Sequence, residues 1–203
     1  LNDKYILDLL SDKIYMRYWL GNYVPVLPSL IQDEHNLSFK VLEEKLQYSK
    51  AYVAQKNRSS GGFGTFYITR DNNILSYIHE TCNELLIVSP YIENNLSINV
   101  TALISEKQFT YFPASLQIVE EDDNRLIYHG ADFISIRNLS FELHSKINNY
   151  SEIILTRLKS LGYRGIIGID FIIKGNDVYF LELNPRYQAS SFLIDAALTS
   201  QGY

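Results

Sequence analysis

The stretch Tyr179-Phe180-Leu181-Glu182-Leu183-Asn184-Pro185-Arg186-Tyr187-Gln188, YFLELNPRYQ, follows closely on the run GIDFII, which carries Asp170 at its centre. Side chains alternate along a strand, so Glu182 and Asn184 share one face and Leu181 and Leu183 the other. The intervening Lys174-Gly175-Asn176-Asp177 has the composition of a tight hairpin. Closing that hairpin sets Asp170, in a strand over 166–173, opposite Glu182. Three hard oxygen donors then converge, Asp170, Glu182 and Asn184. That set suits Mg²⁺, which takes a few carboxylate or carbonyl ligands and completes its shell with water or phosphate. Pro185 ends the strand by removing a ladder donor, and Arg186 extends a guanidinium from the same turn, able to fork onto a carboxylate or phosphate. The plainer alternative leaves Glu182 and Asn184 as decoration on a solvent-facing strand. The Pro-Arg turn beside them favours a magnesium–nucleotide site.

At 203 residues, 46% hydrophobic and 13% aromatic, the chain can bury one good core or two small ones and is too apolar for disorder. A formal charge of −5 leaves no basic footprint for nucleic acid, so any phosphate must be held locally, by metal and a few lysines. The single cysteine, Cys82, rules out an internal disulfide, fits a reducing cytoplasm and reads as a core residue, with no neighbouring His or Lys to activate it. No apolar run has the length of a membrane span and no basic-then-apolar leader opens the chain, so a soluble, cytoplasmic protein is expected. The chain starts at Leu1 and stops at Tyr203, directly after a helical pattern over 191–200, and is expected to be part of a longer polypeptide.

Apolar spacing predicts one broken helix or two short ones over 4–20, interrupted at Ser11-Asp12, then an extended Val24-Pro25 segment and a helix over 38–45. Strands are expected at 51–56, 66–69, 85–88, 96–104, 108–112 and 115–119, with a helix at 74–81. The acidic run 120–124 reads as an exposed turn. A helix over 141–161 is stopped by Gly162-Tyr163-Arg164-Gly165 before the Asp170 strand. The sum is an α+β chain: a helical lead-in over 1–45, a small glycine-flap lobe over 46–89 and a larger antiparallel catalytic lobe over 90–203. Nucleotides commonly lodge between two such lobes.

The loop from Arg58 to Thr65 joins two strands, so it is neither a Walker loop nor a dinucleotide fingerprint. It reads as a flap. Gly61, Gly62 and Gly64 let backbone amides approach phosphates, and Ser59, Ser60 and Thr65 add hydroxyls. Taken alone, the loop reads more readily as a plain flexible turn, and Lys56 before it together with the Asp170, Glu182 and Asn184 set turns the reading toward phosphate. Lys56, ending the strand before it, and Lys13, in the helix before Val24-Pro25, are the candidate phosphate lysines.

These stations, in this order, resemble the ATP-grasp superfamily over nearly the whole chain: a Lys-bearing helix and V-P segment (Lys13 to Pro25), Lys56 with its Gly-rich flap, a P-Y-I-E hinge (Pro90 to Glu93), and Asp170 with E-L-N-P-R (Glu182 to Arg186). The resemblance implies a fold of two α+β lobes with ATP between them. It implies two Mg²⁺, replaceable by Mn²⁺, on Asp170, Glu182 and Asn184. Lys13, Lys56, Ser60, Gly61, Gly62 and Gly64 would serve the phosphates, Tyr91 and Ile92 the adenine, with Glu182 also on the nucleotide side. Arg186 and Lys56 would act in catalysis. The implied reaction is attack of a substrate carboxylate on the γ-phosphate, giving an acylphosphate that an amine captures, as in amino acid or peptide ligation. The implied partners are small carboxylate and amine substrates, with no nucleic acid and no membrane, and a homodimer is left open.

The end of the chain is similar to the biotin carboxylase pattern through Arg186 and Gln188, which makes bicarbonate activation of the biotin-carboxylase or carbamoyl-phosphate kind an alternative. Ala189-Ser190-Ser191 lacks the acidic residue expected for it. A non-catalytic nucleotide-binding module is a further alternative, opposed by the intact Asp170, Glu182, Asn184 and Arg186. The chain departs from the family in having Ser89 where a hinge Glu is usual. Lys13 lies nearer its V-P segment than usual, so Lys4 competes with it, and the Rossmann-like domain that the resemblance implies ahead of the ATP-grasp lobes is not expected within this sequence. Gln117, Asn99, Ser97 and His129 read equally as pocket residues or as strand hydrogen-bonders.

Overall fold

The computed structural model describes residues 2–46, 49–59 and 64–200. In chain order its elements are α1 Lys4–Leu10, α2 Lys13–Leu20, β1 Leu30–Asp33, α3 Phe39–Leu46, β2 Ala51–Lys56, β3 Thr65–Thr69, α4 Ile74–Thr81, β4 Leu85–Pro90, β5 Leu96–Ile104, β6 Phe109–Tyr111, β7 Ser115–Asp122, β8 Arg125–Asp132, α5 Phe141–Ser160, β9 Gly165–Lys174, β10 Asp177–Asn184 and α6 Ser191–Ser200. The chain divides into two compact units: 1–26 with 95–118 and 130–203, and 27–94 with 119–129.

In the first unit the strands run β7-β5-β9-β10, all antiparallel, with β6 also on β5. One face carries Ile98, Val100, Ala102, Ile167, Ile169 and Phe171, packed with Leu10, Met16, Leu20, Ile147, Ile154 and Leu158 from α1, α2 and α5. A capping oxygen opens each of the first two helices, the second at the Ser11-Asp12 break that the sequence predicts: Asp3 accepts from the Tyr5 amide and Asp12 from the Tyr15 amide. The outer edge of β10 is met by the Val24-Pro25 segment. Val26 bridges Phe180 in parallel, and the Phe180 amide donates to the Pro25 carbonyl at 2.8 Å.

In the second unit β1-β4-β2-β3 form a sheet that the tip of the β7–β8 hairpin joins through Phe66 and Arg125. Its core takes alternate residues, Tyr52 and Ala54, Phe66 and Ile68, Leu86 and Val88, under Leu42, Ile74 and Ile78. Cys82 lies in this core, and burial pushes its thiol up.

Two strands escape the sequence pattern. β1 is four residues at a sheet edge with Ile31 exposed, and β8 is half-buried along most of its length, so neither shows a period of two. Residues 120–123 of the acidic run are exposed as expected and Asn124 is half-buried, but β7 continues to Asp122, and the turn is only Asp123-Asn124, both at positive φ (46° and 59°). A turn with two positive-φ residues matches the twist of a hairpin, and Asp and Asn tolerate it.

The stop of α5 is a Schellman closure. Gly162, at φ 97°, donates to the Lys159 carbonyl, and the Tyr163 amide donates to the Leu158 carbonyl at 3.0 Å. An alanine there must adopt the left-handed region at a cost of about 1–2 kcal/mol, and a Cβ would meet only Ile6 Cδ1 at 3.5 Å. Gly162→Ala is therefore expected to lower the unfolding free energy by about 1–2 kcal/mol with an unchanged urea m-value, as measured by urea denaturation.

Candidate functional site

In the first unit, the face of the sheet opposite the core is a grid of polar side chains built by register. Directly opposed residues of an antiparallel ladder share a face. Ser115, Asn99, Asp170 and Glu182 form one cross-strand row, and Thr101, Gly168 and Asn184 form the next.

Glu182 reaches this face through a bulge. From Asp177 opposite Lys174 to Phe180 opposite Phe171 the register is regular, and it then shifts so that Glu182 opposes Asp170 and Asn184 opposes Gly168. Without the shift Glu182 would face Ile169, on the core side. Burying a carboxylate among aliphatic chains is costly enough to enforce the slip. The sequence carries the signal: Val178 and Phe180 fill the core, yet two and four residues later in the same phase stand Glu182 and Asn184.

Asp170 is 7% exposed and is held by three amide donors. Asn99 Nδ2 donates to its Oδ1 at 2.6 Å, Gln117 Nε2 to the same oxygen at 3.2 Å, and Asn184 Nδ2 to Oδ2 at 2.9 Å. Burial first, and then the Glu182 charge, raise the Asp170 carboxyl from its usual 3.8 to about 7, while the Asn99 and Asn184 bonds and Lys13 pull it down.

Glu182 faces Lys13, whose Nζ lies 3.0 Å from Oε2 in an ion pair without hydrogen-bond alignment at that oxygen. One turn on, Arg17 is buried and donates Nε to the Leu181 carbonyl at 2.9 Å. Burial lowers its guanidinium from 12.5 to about 10, with Glu182 opposing that fall, so it stays charged at neutral pH.

Gln188 completes the grid. Its amide fills the space left by Gly168, where a Cβ would lie 1.9 Å from Nε2. From there Oε1 accepts from Asn99 Nδ2 at 2.7 Å and Nε2 donates to Thr101 Oγ1 at 3.2 Å. Arg186 is exposed, with Nη2 3.4 Å from Asn184 Oδ1. Lys4 is exposed at the start of α1.

The remaining expected site residues belong to the second unit. Lys56 Nζ lies 3.6 Å from Glu84, and the Lys56 amide donates to the Gly64 carbonyl at 2.8 Å. A Cβ on Gly64 would come within 2.5 Å of Ser59, so the base of the loop is closed tightly around a residue without a side chain. The Tyr91 amide is committed to the Ala51 carbonyl at 2.9 Å, and Ile92 is buried. Ser60, Gly61 and Gly62 lie outside the described residues. His129, exposed and 3.9 Å from Glu120, also belongs to this unit, whereas Ser97 donates to Gln117 at 2.6 Å within the grid.

Arg17 is the residue that sequence reasoning passes over. Its signal is a second cation four residues after Lys13, on the same stripe of a helix whose Met16 and Leu20 are core.

Among the described residues no three Asp, Glu, His or Cys side chains cluster as a metal site. Two opposed carboxylates and an amide oxygen still fit a hard cation that draws its other ligands from water and phosphate. Two like charges, one buried and pushed toward neutrality, also favour such a cation electrostatically.

Three comparisons with known proteins bear on the chain. A family model described as an ATP-grasp domain matches residues 10–190. The carbamoyl phosphate synthase large chain of Thermoanaerobacter pseudethanolicus is 33% identical over 104 residues, which are 50% of this chain and 9% of that one. Biotin carboxylase from Campylobacter jejuni, solved as a β-γ-ATP complex, superposes with a TM-score of 0.71 at 18% identity, over 94% of this chain and 44% of that one. D-alanyl-alanine synthetase A from Vibrio cholerae gives 0.70 at 15% identity, over 96% of this chain and 65% of that one. The chain thus spans less than two thirds of each relative, and the two structures show a shared fold, the two-lobed α+β architecture expected from the sequence.

The Asp170 shift has a consequence for stability. Between about pH 4 and pH 7 the unfolded chain has lost a proton that the folded chain keeps, so this group makes stability fall as pH rises through that window and level off above it. In EDTA, urea denaturation of the wild type between pH 5 and 8 is expected to show this decline, and Asp170→Asn to flatten it.

Proposed function

The chain belongs to the ATP-grasp family, and from that premise we propose that it binds ATP with Mg²⁺ and activates a substrate carboxylate as an acylphosphate for capture by an amine. The observation that carries this reading is the register-matched pair of Asp170 and Glu182, flanked by Asn184 and by the Lys13 and Arg17 cations.

Asp170, Glu182 and Asn184 would hold the cation, which when bound neutralises phosphate charge. Asn99, Gln117 and Asn184 keep the Asp170 oxygens aimed by donating to them. Lys13 and Lys56 are assigned to the phosphates, together with the loop of Ser60, Gly61, Gly62 and Gly64, and Tyr91 and Ile92 to the adenine. The exposed Arg186 is assigned to the reacting carboxylate. In the reaction a carboxylate oxygen bonds to the γ-phosphorus as the bond to the β-phosphate oxygen breaks and ADP leaves. The amine then adds to the acyl carbon, inorganic phosphate departs with its bonding electrons, and the nitrogen gives up a proton. Such chemistry asks for positioning and charge neutralisation more than for a protein nucleophile.

A second reading takes bicarbonate as the carboxylate, on the strength of Arg186 and Gln188 and the carbamoyl phosphate synthase relative. The engagement of Gln188 by Asn99 and Thr101 weighs against it, since its amide is already in use.

Calorimetry of ATP and ADP with and without Mg²⁺ tests the proposal. Magnesium-dependent binding is expected, weakened about tenfold or more, about 1.4 kcal/mol, in Glu182→Gln. ADP release in the presence of amino acids would favour amine ligation, and release stimulated by bicarbonate alone the second reading. No nucleotide binding at millimolar concentration would contradict both.

A further inference from the structure

The bulge that turns Glu182 toward Asp170 leaves Leu181 outside the β9–β10 register. A bulged residue keeps a backbone carbonyl that the ladder does not use, and an unsatisfied carbonyl in a half-buried position costs free energy. Here the missing partner comes from α2, as Arg17 Nε meets the Leu181 oxygen at 2.9 Å. The preceding residue is held from the same side, where the Phe180 amide donates to the Pro25 carbonyl at 2.8 Å. The outer edge of β10 is therefore gripped at two successive residues by the segment 17–25, just where the register slips.

We propose that Arg17 is a positioning residue: by holding the Leu181 carbonyl it fixes the bulge, and thereby the setting of Glu182 opposite Asp170. Guanidinium suits this task because its planar donors are rigid and its charge survives burial, whereas a lysine ammonium at the end of a flexible stem does not reproduce the Nε position. The inference rests on the reading of Asp170 and Glu182 as cation ligands, and extends it to a residue that need not touch the cation.

Two readouts on the whole chain test it, amide hydrogen exchange over 180–184 followed by NMR and Mn²⁺ affinity without nucleotide. The variants are Arg17→Met, Arg17→Lys and, as a control that loosens the same helix through its core side, Met16→Val. Both Arg17 variants are expected to exchange faster over 180–184, by about tenfold, and to bind Mn²⁺ about tenfold more weakly. Met16→Val should stay within about twofold of the wild type in both. Should Arg17→Met fail to fold, Arg17→Lys decides. Wild-type exchange in the Arg17 variants would overturn the proposal. So would restoration of both readouts by lysine, which would reduce Arg17 to a bare charge, or an equal effect of Met16→Val, which would reduce it to helix packing. A wild type that binds no Mn²⁺ would refute the cation-site reading, and the exchange rates alone would then establish or refute the hold of Arg17 on the bulge.

Discussion

At Leu181 the ladder between β9 and β10 slips by one residue, and the polar face of the first unit is organised around that slip. Before it, Val178 and Phe180 point into the core, and after it Leu183 does. Glu182 and Asn184 are thereby freed from the apolar side and join Asp170, Asn99 and Thr101 on the other. The hydrophobic requirement of the core and the solvation requirement of the carboxylate are met by the same irregularity. A regular strand with this sequence would have to bury Glu182 against Ile169 or expose Leu183 and its neighbours to water.

The electrostatic consequence is a pair of carboxylates that proximity and burial set against each other. Three side-chain amides donate to Asp170, and Lys13 stands on Glu182, yet the Asp170 carboxyl still rises toward neutrality because desolvation outweighs them. Such a site holds its donors in place and accepts additional positive charge readily. Gln188 extends the network from the turn after β10 back to Asn99 and Thr101, through the gap that Gly168 leaves in the sheet. A side chain at position 168 would displace that amide and with it one of the bonds that orient Asn99.

Much of this was readable along the chain. The hairpin around Gly175 and the two short helices broken at Ser11-Asp12 follow from turn chemistry and apolar spacing, whereas the opposition of Asp170 and Glu182, expected from the hairpin, is reached only through the bulge. The bulge itself was written in the phase break between Phe180 and Glu182, which a simple alternation count passes over. β1 and β8 were hidden because an exposed edge and a half-buried strand carry no hydrophobic period. The tie of Gln188 to Asn99 joins residues 89 apart and depends on the absence of a side chain at Gly168, which no local pattern encodes. Arg17 is of the same kind: its buried hydrogen bond spans 164 positions to a backbone atom, so its residue type alone does not announce its role.

The proposed cation site of Asp170, Glu182 and Asn184 depends on the bulged register. The most direct measurement is an anomalous-difference map from a crystal of the chain grown with Mn²⁺ and ADP. A peak bonded to both carboxylates is expected, with Glu182 opposite Asp170 across the slip at Leu181 and Lys13 turned from Glu182 toward phosphate. A peak held by other residues, or Glu182 still paired with Lys13 and no ion beside Asp170, would contradict it.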